Sequence, residues 1–124
     1  MARIIVADDD REVRELIIFA LRFAGHKVIG AQNGKEVIQL AHQLKPDLIL
    51  MDVRMPIMNG YEACKTIKAE NETKSIPVIF LSARGQEAEI QAGLSAGGDD
   101  YILKPISPDQ LTKKVGLFLQ KATK

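Results

Sequence analysis

Five short apolar runs are spaced along the chain, and most of them are apolar at successive positions instead of alternating with polar residues. The strands of a parallel sheet show this pattern when helices cover both faces of the sheet. We therefore predict a central parallel sheet. Its strands would be residues 4–7, 28–31, 48–51, 78–81 and 101–103.

Helical patterns fill the segments between these runs. Apolar residues three and four positions apart predict the first helix, and capping residues at Asn33 and Ser107 mark the starts of the second and fifth helices. The fourth helix is the weakest prediction, because Gly93 interrupts it. The predicted helices cover residues 13–24, 33–45, 60–69, 86–96 and 107–121.

The apolar stripe of each helix should face the sheet. In the first helix this stripe contains Val13, Leu16, Ile17, Ala20, Leu21 and Ala24. Strands and helices that alternate strictly, with right-handed crossovers, give an open, doubly wound α/β sheet. The chain has 124 residues, which is a common size for one domain, so we predict that residues 1–124 form a single domain.

Composition excludes several classes of protein. The 17 Lys and Arg residues nearly balance 16 Asp and Glu residues, so a net charge of +1 gives no support for a nucleic-acid partner. No apolar run is long enough to span a membrane, and no leader segment is recognisable. The single cysteine, Cys64, forbids an internal disulfide and fits a core position. We expect a cytoplasmic protein that does not associate with membranes.

Polar residues stand where the predicted strands end. Asp8 and Asp9 follow the first run, Asp52 follows the third, Ser82 follows the fourth and Lys104 follows the fifth. Because the carboxyl ends of parallel strands meet at one edge of an open α/β sheet, these side chains should gather there. Taken singly, an Asp after a strand commonly caps the next helix. Together they predict a binding site.

Three carboxylates at one edge repel one another unless a cation neutralises them. Mg²⁺ suits a site of carboxylate and water oxygens, whereas zinc would require Cys or His ligands. Neither His26 nor His42 falls near this edge, and we interpret both as solvated structural residues. The predicted cofactor is therefore Mg²⁺.

Four segments resemble the bacterial response-regulator receiver domains. They are the sequences IIVADDD, LMDVRMPIMNG, FLSA and DYILKP, at residues 4–10, 50–60, 80–83 and 100–105. They occur in the expected order at the expected strand ends, and the resemblance covers the whole chain. It implies a (βα)5 fold with an open parallel five-stranded sheet in the order 2-1-3-4-5, a flavodoxin-like three-layer sandwich.

The resemblance also assigns roles at the sheet edge. Asp52 matches the phosphoacceptor, whose carboxylate becomes an acyl phosphate. Asp8 and Asp9 match the acidic pair that holds Mg²⁺ together with Asp52, and the family pattern adds the main-chain carbonyl of Arg54 as a ligand. Lys104 matches the lysine that pairs with the phosphoryl group.

Two further residues match the family's conformational switch. Ser82 matches the hydroxyl that binds a phosphoryl oxygen, and Tyr101 matches the aromatic residue that turns inward afterwards. For Tyr101, a half-buried strand aromatic without a switching role is an equal alternative. Arg54 and Arg84 occupy positions that tune phosphoryl lifetime in this family. Gly98 stands where an alanine is expected, a departure that should affect only local rigidity.

The implied function is a phosphoacceptor switch in a two-component phosphorelay. A histidine kinase or phosphotransfer protein would supply the phosphoryl group, and the surface formed by helix four, strand five and helix five would signal to a downstream output protein. Homodimerisation through that surface is a further option. The chain would catalyse its own phosphorylation and dephosphorylation instead of turning over a substrate. Whether it is a whole protein or a fragment of a longer regulator stays open.

Two other functional classes remain as alternatives. A haloacid-dehalogenase-type phosphatase would use the pair Asp8 and Asp10, but Glu12 stands where that family has Thr or Val, and the segment after Asp52 would be unexplained. A receiver-like binding module that is never phosphorylated would lack a site residue, and none is missing here. A flavin-binding relative would need a phosphate loop after the first strand, where three aspartates would repel phosphate.

Overall fold

The computed structural model describes residues 2–82, 87–104 and 107–122. Strands and helices alternate along the chain, five of each among these residues. The strands are β1 (Arg3–Ala7), β2 (Lys27–Ala31), β3 (Leu48–Asp52), β4 (Val78–Ser82) and β5 (Asp100–Leu103). The helices are α1 (Arg11–Phe23), α2 (Gly34–Leu44), α3 (Gly60–Ala69), α4 (Glu87–Ser95) and α5 (Pro108–Ala122).

The strands form one parallel sheet in the order β2-β1-β3-β4-β5, which confirms the predicted fold. Helices α1 and α5 contribute to a core on one face, and α2 and α3 contribute to a core on the other face. The central strand β3 is buried on both faces, so its continuous apolar run is explained by its position. Cys64 lies in the second of these cores, as predicted.

Helix starts follow the predicted capping chemistry. The side chain of Asn33 accepts a hydrogen bond from the Glu36 N–H at 2.9 Å at the start of α2, and Ser107 Oγ accepts one from the Gln110 N–H at 3.2 Å. Asp10 caps α1 in the same way, by accepting hydrogen bonds from two N–H groups of its first turn. These local contacts fix where each helix leaves the edge of the sheet.

The buried stripe of α1 differs from the prediction. Leu16 is 60% exposed, and Ile18 is buried instead. The buried positions run through Arg14, Ile17, Ile18 and Leu21, so the stripe includes a charged residue. Ile17 and Leu21 are buried as predicted. Because the prediction counted only apolar residues, it omitted Arg14 from the buried face.

The two histidines have different surroundings. His42 lies on α2 with its ring nitrogens 3.2 Å and 3.3 Å from carboxylate oxygens of Glu70 and Glu72, and these hydrogen bonds raise its pKa. His26 is partly buried and accepts a hydrogen bond from the Ala2 N–H, and burial lowers its pKa. Neither contacts the aspartates that follow the strands, and His26 is more buried than predicted. No helix in the described part of the chain is long and apolar enough to cross a membrane.

Helix α4 rests directly on an aromatic ring. A Cβ atom added at Gly93 would lie 2.9 Å from the ring of Phe80, and one added at Gly98 would lie only 2.4 Å from it. The same ring meets Tyr61 of α3 edge to face, with centroids 5.6 Å apart. The two glycines are therefore required by packing. This corrects the expectation that Gly98 affects only local rigidity and gives Gly93 a role beyond weakening the helix.

We predict that Gly98→Ala destabilises the fold by about 1–3 kcal/mol, because the new methyl group overpacks the site. Phe80→Leu should also destabilise the protein, but the double variant should cost less than the sum of the two by about 1 kcal/mol or more, since the smaller side chain makes room. Urea unfolding measures all three values.

Gly116→Ala on α5 is the matched control. A Cβ atom there meets nothing within 4 Å, so the change should be neutral or stabilise the helix by up to about 1 kcal/mol. Additive costs for Phe80→Leu and Gly98→Ala would show that the ring does not constrain Gly98.

Candidate functional site

The carboxyl ends of four strands bring the predicted site residues together. Asp8 follows β1, Asp52 ends β3, Ser82 ends β4 and Lys104 follows β5. Lys104 Nζ lies 2.7 Å from Asp8 Oδ2 and 3.5 Å from Asp52 Oδ2. One ammonium group thus bridges two carboxylates that are far apart in sequence, which confirms the juxtaposition expected from the parallel sheet.

Asp9 completes a cluster of three carboxylates. Asp8, Asp9 and Asp52 each offer an oxygen atom, and these atoms lie within 4.8 Å of one another. Asp8 is fully buried, Asp52 is partly buried and Asp9 is exposed, so the cluster opens towards solvent on one side. Oxygen ligands of this kind, with room for water, suit Mg²⁺. The donor set therefore fits the predicted cofactor.

The cluster perturbs the acid–base chemistry of its members. Burial raises the pKa of Asp52 to about 6, Lys104 opposes this shift and the negative charge of Asp8 adds to it. Burial by itself would lower the pKa of Lys104, but the hydrogen bond to Asp8 and the charges of Asp52 and Asp8 outweigh burial and raise it. Lys104 is therefore held in its charged form beside Asp52.

Ser82 and Tyr101 line a narrow crevice between the sheet and α4. Ser82 is buried at the end of β4, Tyr101 is half-buried on β5, and Phe80 and Gly93 line the same crevice. Its volume of about 10 Å³ accommodates no ring. The side chain of Tyr101 packs against the core, and a switching role for the pair stays a prediction.

Arg54 lies beside the carboxylate cluster, in a cleft of about 550 Å³ that also contains Asp9 and Tyr61. The loop that carries it contains Ile57, which has a φ of +68° and is 80% exposed. A β-branched residue is strained in this conformation, and the Met58 N–H donates to the Pro56 carbonyl across it. No pattern in the sequence predicts this strain. Arg84, the other predicted rate-tuning residue, lies outside the described residues.

Sequence reasoning also missed Arg14. Its guanidinium is buried beneath the cluster, and Nη1 donates to the main-chain carbonyl of Asp8 at 2.7 Å. An available signal was its spacing, because Arg14 is three, four and seven positions before apolar residues of α1. A charged residue that completes a buried helical stripe is a candidate for a special contact.

Comparison with known proteins agrees with this geometry. The family model of the response regulator receiver domain matches residues 4–116. The response regulator MprA of Mycolicibacterium vanbaalenii is 38% identical over 121 residues, which cover 98% of this chain and 52% of that protein. The chain spans about half the length of the curated relatives it matches.

Two solved structures are close in shape. The receiver domain of Francisella response regulator 1452 has a TM-score of 0.88 and 34% identity, with all of both chains covered. The receiver domain of the sensor histidine kinase PA1611 from Pseudomonas aeruginosa has a TM-score of 0.89 and 28% identity over 96% of this chain and 98% of that one. The latter holds a magnesium ion coordinated in its active-site cleft.

The family model covers most of the chain, MprA is 38% identical over the aligned 121 residues, and the fold and the acidic cluster agree with the same assignment. This chain belongs to the response regulator receiver domains of two-component signalling.

Proposed function

We propose that this domain is a phosphorylation switch in which Asp52 accepts a phosphoryl group. The observation that carries the proposal is the bridge made by Lys104 between Asp52 and the buried Asp8, next to Asp9. This arrangement provides a carboxylate nucleophile, a fixed positive charge and an acidic cation site within one small volume. Phosphoryl transfer requires this combination of positioning and charge stabilisation.

In the proposed reaction, a carboxylate oxygen of Asp52 forms a bond to phosphorus while the bond between phosphorus and the donor group breaks. The donor's leaving group departs with the electrons of that bond, and Asp52 becomes an acyl phosphate. Lys104 stays within reach of the new phosphoryl oxygens as a compact cation. Asp52 must be deprotonated to act as the nucleophile.

Asp8, Asp9 and Asp52 would hold Mg²⁺, together with the main-chain carbonyl of Arg54. The ion would neutralise phosphoryl oxygens and orient the donor. The oxygen-rich cluster supports this assignment, as does the magnesium ion in the related domain of PA1611. Lys104 then has two tasks, because it stabilises the cluster before the ion binds and contacts the phosphoryl group afterwards.

Ser82 and Tyr101 would register the new charge. Binding of a phosphoryl oxygen to the Ser82 hydroxyl would favour movement of the end of β4. The Tyr101 ring could then enter the crevice beside Gly93 only if α4 shifts, because the crevice is too small for a ring. The surface formed by α4, β5 and α5 would then present a different face to an output protein. A histidine kinase or phosphotransfer protein would supply the phosphoryl group. Dimerisation through this surface and a cytoplasmic location stay predictions.

The phosphatase alternative has weaker support in the structure. The side chain of Asp10 accepts hydrogen bonds from the Glu12 and Val13 N–H groups at the start of α1, so it serves as a helix cap. A phosphatase would require that carboxylate as an acid and base at the substrate. A binding module without phosphorylation is disfavoured because the acceptor, acidic and lysine positions are all filled and adjacent.

We predict that acetyl phosphate with Mg²⁺ adds one phosphoryl group to the protein, because Asp52 lies beside Lys104 and within the acidic cluster. Intact-mass spectrometry should show the adduct, and Asp52→Asn should abolish it. Asp47→Asn, which removes a carboxylate at the far end of the sheet, should leave labelling unchanged. Absence of an adduct on the parent protein would refute the proposal, and steady release of phosphate without an adduct would favour a phosphatase.

We predict that Asp52→Asn stabilises the metal-free protein at pH 7. The folded state raises the pKa of Asp52 from 3.8 to about 6 and so binds the proton more tightly than the unfolded state does. The parent protein therefore loses stability as the pH rises from about 4 to about 6, by about 2 kcal/mol, and the variant avoids this loss.

Urea unfolding in the presence of a chelator at pH 4 and at pH 7 measures the effect. The difference between the two proteins should appear at pH 7, shrink at pH 4 and disappear when saturating Mg²⁺ stabilises the parent. Equal stability of the parent protein and Asp52→Asn at pH 7 would show that the surroundings do not disfavour the charged form of Asp52.

A further inference from the structure

We propose that Arg14 is a positioning residue for the cation site, holding the main chain of Asp8 so that its carboxylate is presented for Mg²⁺. The inference rests on the proposed function, because it concerns the same site. It adds a residue that lies on α1, beneath the carboxylate cluster and outside the strand ends.

The burial of Arg14 demands an explanation. Its side chain is only 8% exposed, although arginine is seldom buried without a partner. Among the described side chains, those of residues 2–82, 91–104 and 107–121, no carboxylate lies within ion-pair distance of its guanidinium. Its hydrogen bond to the Asp8 carbonyl, at 2.7 Å, is therefore the contact that orients it.

The Asp8 carbonyl needs this donor. Pairing of β1 with β2 ends at Ala7 and Ala31, and the Asp8 N–H still donates to the Ala31 carbonyl at 3.2 Å. Within the described chain, no main-chain N–H donates to the carbonyl of Asp8. A buried carbonyl without a hydrogen-bond partner destabilises the fold. The guanidinium of Arg14 supplies the missing hydrogen bond just beyond the end of the ladder.

The neighbouring strand leaves room for the arginine. A Cβ atom at Gly30 of β2 would lie 3.3 Å from Cδ of Arg14 and 2.9 Å from Cδ1 of Ile18. Any larger residue at this position would push both side chains away from the sheet. Gly30 thus permits the path that Arg14 takes from α1 to the carbonyl of Asp8.

The main-chain contact leaves the carboxylate available. Asp8 Oδ1 accepts a hydrogen bond from the Asp10 N–H at 3.0 Å, and Asp8 Oδ2 accepts one from Lys104 Nζ. These two carboxylate oxygens are also the ones that a cation would contact. Arg14 uses neither oxygen. It can therefore fix the direction of Asp8 both before and after a cation binds. Loss of such a supporting hydrogen bond at metal sites weakens affinity about 10- to 100-fold.

Positioning and charge predict opposite effects for Arg14→Met. If only the charge mattered, removing a cation near the cluster would tighten the binding of Mg²⁺. If Arg14 positions Asp8, the Kd for Mg²⁺ should rise about tenfold or more. Ca²⁺ tolerates irregular geometry better than Mg²⁺, so its Kd should rise less. A larger rise in the Kd for Mg²⁺ than in the Kd for Ca²⁺ would indicate lost positioning, whereas equal rises would indicate general loss of the site.

The experiment titrates the ¹⁵N-labelled full chain with MgCl₂ and separately with CaCl₂, and follows amide signals by NMR. Arg11→Met is the matched control, because it removes the same charge from an exposed position on the same helix. Its Kd for Mg²⁺ should be unchanged or lower. Arg14→Lys should show a smaller loss than Arg14→Met, because one donor is retained.

The outcomes are distinguishable. A parent protein that does not bind Mg²⁺ would overturn the proposed function itself. A parent that binds, with Arg14→Met binding equally well or more tightly, would overturn the role of Arg14 alone. If Arg14→Met does not fold, Gly30→Ala tests the same contact from β2 and should weaken Mg²⁺ binding in the same direction. Unchanged binding in Gly30→Ala and Arg14→Lys would also refute the inference.

Discussion

Repulsion among the carboxylates of Asp8, Asp9 and Asp52 is the constraint on which this site depends. The parallel sheet brings them together at one edge, where burial first and then the charges of Asp8 and Asp9 raise the pKa of Asp52. Lys104 offsets part of the repulsion by bridging Asp8 and Asp52. In the proposed function, the remaining repulsion would make the site responsive, because a bound cation or phosphorylation of Asp52 would change the balance of charge at the edge.

The rest of the fold holds this unfavourable arrangement in place. Burial of β3 on both faces fixes the start of the loop that carries Arg54, and the hydrogen bond from Arg14 fixes the main chain of Asp8. On the other side of the sheet, the ring of Phe80 packs against Tyr61, which lines the cleft beside Arg54, and lies close to Gly93 and Gly98. Packed side chains thus connect the charged edge with α4, the helix that we propose signals outward.

Much of this was predictable from local pattern. Continuous apolar runs identified every strand, capping residues such as Asn33 and Ser107 located helix starts, and polar residues after the runs identified the edge where they meet. These predictions succeeded because periodicity and capping depend on neighbours in the sequence, and because parallel strands must align their carboxyl ends. The roles of the site residues followed from resemblance to a family.

The sequence by itself determined the order of strands and helices and the residues that meet at the charged edge. Only the tertiary structure decided that Arg14 is buried under Asp8, that Leu16 is exposed and that Ile57 is strained. It also decided that Gly93 and Gly98 are required, because the ring of Phe80 occupies the space that a Cβ atom would fill at either position. Each of these depends on atoms from distant segments competing for one volume, and hydrophobic periodicity along the chain carries no information about that competition.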